Sequence, residues 1–181
     1  MSKKSKKGFP NSTVNCFHHE GDVKIVKAEV EHAGYLQHRL RPSDVRECMI
    51  HSSTPWRALH APFRIKDAYT WTGMYKDEPV CMFGVVPFMA AEDFVGATIW
   101  FLGSSVIDEQ PRKFLKASKD MFEYISARYD LLENVVPVDH HKTLKWLDWL
   151  GFAFAEEATV INGYSCIRFV RCDETIEVRF Q

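Results

Sequence analysis

GATIWFLGSS (96–105), PRKFLKASKDMFEYISARYD (111–130), LLENVVPV (131–138) and DHHKTLKWLDWLGF (139–152) are the four pieces whose order decides the fold of this 181-residue chain. The first reads as a short buried strand at Thr98 to Leu102. The second opens on Pro111, which is favoured in a first helical turn, and its Phe114, Leu115, Met121, Phe122, Ile125 and Tyr129 recur at helical spacing. Asn134 to Val138 reads as strand. His141 to Leu150 reads as a short helix stopped by Gly151, a residue suited to the left-handed position after a helix. Together they make one β-α-β-α unit, in which Thr98–Leu102 and Asn134–Val138 are expected to lie side by side and parallel. Units of this kind form ligand sites where their strands end.

Working outward, Val23 to Val30 alternates as a first strand, and Glu31 to Leu40 reads as a helix. A second helix follows Arg41-Pro42-Ser43-Asp44, with Ser43 as its cap and Val45, Cys48 and Met49 on one face. Ser52 to Pro62 reads as loop. Tyr69 to Tyr75 and Pro79 to Pro87 form a hairpin over Lys76-Asp77-Glu78, and Ala90 to Val95 reads as polar loop. After the central unit, Phe154 to Ile161 and Ser165 to Arg171 form a hairpin around Asn162-Gly163, a strong two-residue turn signal. The fold class is α+β: a mixed sheet, helices on both faces and a C-terminal hairpin.

The length fits one domain. Residues 1–22, with Lys3, Lys4, Lys6 and Lys7 and no period, read as a flexible arm, and 23–181 as the domain. A net charge of -1 gives the whole chain no drive toward nucleic acid, leaving only the basic arm for such a contact. Five cysteines with no C-x-x-C pair speak against a disulfide framework and a zinc ribbon, and fit buried thiols in a reducing compartment. No apolar run approaches the roughly 20 residues that span a bilayer. Met1 to Gly8 leads into polar residues, not the apolar core of a signal peptide.

The element order and the ending W-L-D-W-L-G-F-x-F resemble the GNAT superfamily of acyl-CoA N-acyltransferases over roughly Val23 to Arg171. Within it, HRLRPSDVREC (38–48) and Ile99 to Glu157 are most similar to small GNAT-like proteins of tailed bacteriophages, including internal virion proteins of short-tailed phages. The resemblance implies acetyl-CoA as cofactor, with Leu102, Gly103 and Ser104 as the pantetheine wall and the start of the long helix, at Arg112, as the pyrophosphate site. A bulky residue at Gly103 is then expected to block coenzyme A and leave the fold intact.

The chain departs from the superfamily in two places. Its glycine-rich phosphate loop is replaced by Val106-Ile107-Asp108-Glu109-Gln110-Pro111-Arg112, with no glycine for close approach and two carboxylates that repel phosphate. Counting back from Gly151, the usual asparagine falls at His140 and the usual tyrosine acid at Leu147, which cannot protonate a thiolate. His140 is the catalytic candidate, since an imidazole titrates near neutrality. The plainer reading is a helix capped by Asp139 beside a solvated histidine pair. Adjacent histidines seldom face one metal, so no metal is assigned. Trp146 and Trp149 serve either as core or as a protein contact.

Two functions follow from the resemblance. One is a phage-encoded N-acetyltransferase acting on a small-molecule or protein amine. The other is a non-catalytic virion protein that uses the fold for contacts with other virion proteins. The expected location is the host cytoplasm or the virion.

Overall fold

The computed structural model describes residues 16–91 and 94–172. One mixed sheet runs through it, built from β1 (Cys16–Glu20), β2 (Val23–Lys27), β3 (Tyr69–Tyr75), β4 (Glu78–Ala91), β5 (Phe94–Gly103), β6 (Leu131–Pro137), β7 (Ala153–Phe154), β8 (Thr159–Ile161) and β9 (Tyr164–Cys172). The spatial order is β1-β2-β3-β4-β5-β6-β9-β7, with β8 also on β9. Neighbours are antiparallel except β5 and β6, which are parallel through Gly96–Leu131, Ala97–Leu132 and Thr98–Glu133. The connection between those two strands carries α4 (Val106–Glu109) and α5 (Pro111–Ser126). The expected β-α-β unit is therefore present, and α6 (His141–Trp149) ends before Gly151 at φ +82°.

Two apolar clusters flank the sheet. Val23, Ile25, Trp71, Val85 and Ala97 pack with Ala117, Met121, Phe122 and Ile125 of α5 and Leu147 of α6. Leu36, Cys48, Leu59, Met82 and Leu102 form the other cluster, which joins the sheet to α1 (Val30–Leu36), α2 (Pro42–Ile50) and α3 (Pro55–His60). Helices thus cover both faces, as the apolar alternation of the strands requires. The Asn162-Gly163 turn has φ +48° and +82°, the two positive values of a tight hairpin turn. Among the described residues no helix is long and apolar enough to cross a membrane. Cys48, Cys81 and Cys166 are buried free thiols, and desolvation pushes Cys81 up to about 12.

Several local expectations differ. The sheet begins at Cys16, inside the stretch read as arm: Cys16–Glu20 pairs with β2 across Gly21 through backbone bonds that need no apolar alternation. Residues 1–15 lie outside the described residues. Pro55–His60, read as loop, is a helix whose Thr54 hydroxyl accepts from the Arg57 amide. Ala90 to Val95, read as polar loop, lets β4 run on to Ala91 and β5 start at Phe94. In α2, Ser43 is not the cap and Met49 is 59% exposed; the buried residues are Asp44, Cys48 and Ile50. Of α6, only Leu147 is fully buried, so the helix is not apolar all round.

Leu147, at the position where a tyrosine acid was sought, is core and only 2% exposed. Leu147→Ala is expected to cost about 2–4 kcal/mol of stability, read from the urea midpoint. A loss under about 0.5 kcal/mol would contradict its placement in the core.

Candidate active site

β5 and β6 pair only as far as Thr98 and Glu133. Beyond that point Asn134 stands between them. Its side-chain amide donates to the Ile99 carbonyl at 2.6 Å, and its Oδ1 accepts from the Val135 amide at 2.8 Å. One side chain thus takes up the backbone groups that a continued ladder would have used, and the strands separate. Strand alternation turns the polar backbone groups of Ile99, Phe101 and Gly103 toward this gap. Gly103 is already engaged: its amide donates to Asp44 Oδ2 at 2.7 Å, and its carbonyl accepts from the Arg41 amide at 2.9 Å. Phe101 is left with its backbone edge facing the opening and, among the described residues, no strand paired to it there.

Pro42 explains why Arg41 can lie there. A residue before proline avoids the helical region, and Arg41 is extended at φ -58°, ψ 148°. Leu40 and Ser104 accordingly form an antiparallel bridge. α2 then rises from the end of β5 with Arg41, Asp44 and Glu47 at a spacing of three, on one face. All three line a cavity of about 510 Å³ that enters between β5 and β6 and runs under α5 and α6. Its body is apolar, with Phe83, Phe101, Phe114, Met121 and Trp146 among its walls, and its mouth carries Arg41, Asp108, Lys142 and Lys145. Trp146 closes the α5–α6 side, donating from Nε1 to Ser118 Oγ at 3.1 Å with its ring 5.5 Å from Phe101.

Asp44 is 1% exposed and receives Arg41 through Nε and Nη2 at 3.1–3.2 Å. Glu47, one turn on, has no such partner. Desolvation, with the charge of Asp44 added to it, pushes its carboxyl up to about 7. His140 Nδ1 stands 4.0 Å from Glu47 Oε2, and Thr143 Oγ1 lies 3.4 Å from its Nε2. Burial holds His140 below the usual imidazole value. A carboxyl that titrates near neutrality beside a neutral imidazole, at the polar end of an apolar cavity, is equipped to accept a proton.

The sequence candidates divide. His140 lies in the cavity wall. Asp139 does not cap α6; it holds Arg46 through two bonds of 2.8 and 2.9 Å, tying the β6–α6 corner to α2. Leu102 packs into the cluster with Met82 and Leu36 on the other side of the sheet. Ser104 is buried, with its amide and hydroxyl both donating to the Val80 carbonyl. Arg112 is exposed and outside the cavity wall. A Cβ at Gly103 would come within 2.3 Å of Ile107 Cδ1 and 3.3 Å of Cys81 Cβ. Gly103→Phe therefore requires the free end of the Ile107 side chain to move aside. Arg41, Asp44 and Glu47 were missed. The signal was present in R-P-S-D-V-R-E, where three charges recur at helical spacing.

No protein family's sequence model matches the chain, and no curated protein matches it at a significant level. Solved structures do match. A RimL ribosomal L7/L12 alpha-N-protein acetyltransferase in complex with coenzyme A superposes with a TM-score of 0.64 at 9% identity, over 87% of this chain and 97% of that one. The fold is that of the GNAT acetyltransferases. A GNAT-family acetyltransferase from Bacillus anthracis gives 0.61 at 7% identity, over 85% and 96%. A spermidine N-acetyltransferase from Vibrio cholerae, in complex with CoA and spermine, gives 0.61 at 12%, over 84% and 96%. Identities this low establish the GNAT-like fold and no more.

The raised Glu47 value makes a stability prediction. The folded state holds that proton more tightly than the unfolded chain, whose carboxyl titrates near 4.5. Folding stability therefore falls as pH rises from about 4.5 through 7, because the carboxylate must ionise in a desolvated place. Glu47→Gln removes this cost, about 1–3 kcal/mol once ionisation is complete. The variant is expected to melt several degrees above the parent at pH 8 and level with it at pH 4. Equal melting temperatures at both pH values would remove the perturbed carboxyl.

Proposed function

We propose that this protein is an acyl-CoA-dependent N-acyltransferase whose general base is Glu47. The observation that carries the reading is the cavity in the β5/β6 split with Glu47 and His140 at its polar end. The residues fit the thioester arm of coenzyme A. The Phe101 backbone edge offers an amide and a carbonyl for pairing, and the apolar walls accept the chain. The start of α5 fits the pyrophosphate poorly, since its first residue is Pro111 and residues 104–110 hold no glycine. When bound, an acyl-CoA supplies the thioester carbon that an amine attacks, forming the amide C–N bond as the C–S bond breaks.

The chain's own groups do the rest. The Glu47 carboxylate takes the proton from the incoming ammonium. His140, neutral through burial and 4.0 Å away, is placed to take the second proton, which the nitrogen sheds as the amide forms, and to hand it to the departing sulfur, while Glu47 returns the first to solvent. Arg41 and the Gly103 amide fix the Asp44 carboxylate in place, and burial, with the charge of Asp44 added to it, keeps Glu47 basic. Leu147, buried in the core, takes no part in proton transfer. The amine is a small molecule or a protein N-terminus; the matched structures act on both kinds.

A second reading rests on two observations. Asp108 stands on Arg41 and Lys142 at the mouth, and Trp149 is 52% exposed on α6. On this reading the chain is a phage virion protein that kept the fold, lost the chemistry and makes contacts through Trp149.

Calorimetric titration with acetyl-CoA separates the two. The enzyme reading expects binding tighter than about 100 μM, roughly -5.5 kcal/mol. It also expects Glu47→Gln to lower turnover by about 10²–10⁴ while leaving acetyl-CoA affinity unchanged. Turnover in the parent should rise with pH through about 7 as Glu47 ionises. No detectable binding, or full turnover in Glu47→Gln, would defeat it.

A further inference from the structure

We propose that Arg41, Lys142 and Lys145 form a binding site for a phosphorylated ligand end, and that Asp108 is the resident anion a ligand must displace. The proposal takes its ligand class from the acyl-CoA reading and moves the phosphate site away from the start of α5. Arg41 Nη1 donates to Asp108 Oδ1 at 3.2 Å, and Lys142 Nζ to Asp108 Oδ2 at 3.2 Å. One carboxylate is thereby shared between a guanidinium on α2 and an ammonium on α6, across the mouth of the cavity. Lys145, three residues after Lys142 on the same helix, also lines that mouth and is exposed.

The arrangement has the chemistry of an anion clamp. Asp44 holds the Nε and Nη2 edge of Arg41, so Nη1 points into the groove in a fixed direction. Arginine supplies planar paired donors for phosphate oxygens, and lysine a mobile point charge. Asp108 presents its two oxygens to those donors as a phosphate would, with a single negative charge. A pyrophosphate carries more charge and more acceptor oxygens, so it competes for the same donors on favourable terms. Asp108 is on α4, a four-residue helix joined to α5 at Gln110, and its side chain is 38% exposed. It can leave the clamp without opening the core. Asp108 then has a role that its repulsion of phosphate does not show: it closes the site when it is empty.

The test is calorimetry at low salt with inorganic pyrophosphate and, separately, acetyl-CoA. The proteins are the parent, Asp108→Asn, Lys142→Gln/Lys145→Gln, and the triple variant combining them. Thermal melting confirms that each is folded. Asp108→Asn is expected to bind pyrophosphate about tenfold more tightly than the parent, from the loss of one competing charge. The triple variant should lose that gain, and added salt should erode it. Acetyl-CoA affinity should follow the same order. Pyrophosphate affinity within twofold of the parent in Asp108→Asn, or a gain that survives loss of both lysines, overturns the proposal. Should Asp108→Asn melt early, the lysine pair decides alone: unchanged acetyl-CoA affinity without those lysines overturns it. Acetyl-CoA binding that ignores every substitution removes the clamp and leaves the acyl-CoA reading standing. A pyrophosphate gain with no acetyl-CoA binding supports the clamp and removes acyl-CoA as its ligand.

Discussion

The Asp44 carboxylate is almost fully removed from water, and its lost hydration is replaced by the Gly103 amide, the Arg41 guanidinium and the Ser43 hydroxyl. An ionised carboxylate tolerates such a place only when its oxygens are satisfied. Those partners are drawn from the end of β5 and the start of α2, so satisfying one charge positions two elements. The rest of the site depends on this. The direction of Arg41 and, through it, the contact with Asp108 refer back to Asp44, whose charge adds to desolvation in raising the proton affinity of Glu47. Removal of Asp44 would leave the Gly103 amide and the Nε and Nη2 edge of Arg41 without their partner, which is costly in a low-dielectric setting.

The opening between β5 and β6 has an equally local cause. Parallel strands continue their ladder unless something takes the next donor and acceptor. Asn134 does so from both ends of its amide. The split is thus made by a side chain, and the cavity follows from it. Trp146 and Phe101 then wall the far side, so the groove is open to solvent at Asp108 and Lys142 and apolar within.

These two interactions bring carboxyl, imidazole and basic groups together on the wall of one apolar cavity. The polar end, at Glu47 and His140, sits where the strands diverge. The charged mouth, at Arg41, Asp108 and Lys142, sits where α4 interrupts the passage from β5 to α5.

Periodicity alone carried the β-α-β-α unit, the hairpins at Lys76-Asp77 and Asn162-Gly163 and the stop at Gly151, because helical and strand spacing and left-handed turns are local properties of the chain. His140 came from the resemblance, as the position counted back from Gly151 to the superfamily's asparagine, and it lies in the cavity wall. β1 was not legible, since an edge strand is held by backbone bonds that any side chain permits. Neither was α2's polar face. Of the apolar Val45, Cys48 and Met49 only Cys48 is fully buried, and the charged Asp44 is buried as well. Burial of a charge follows from which amide and which guanidinium the tertiary structure brings beside it. Gly103 and Asp44 are fifty-nine residues apart, and Arg41 and Asp108 sixty-seven. The sequence by itself determined the elements and their order; only the folded contacts decided which of their charges meet, and so where the site's chemistry lies.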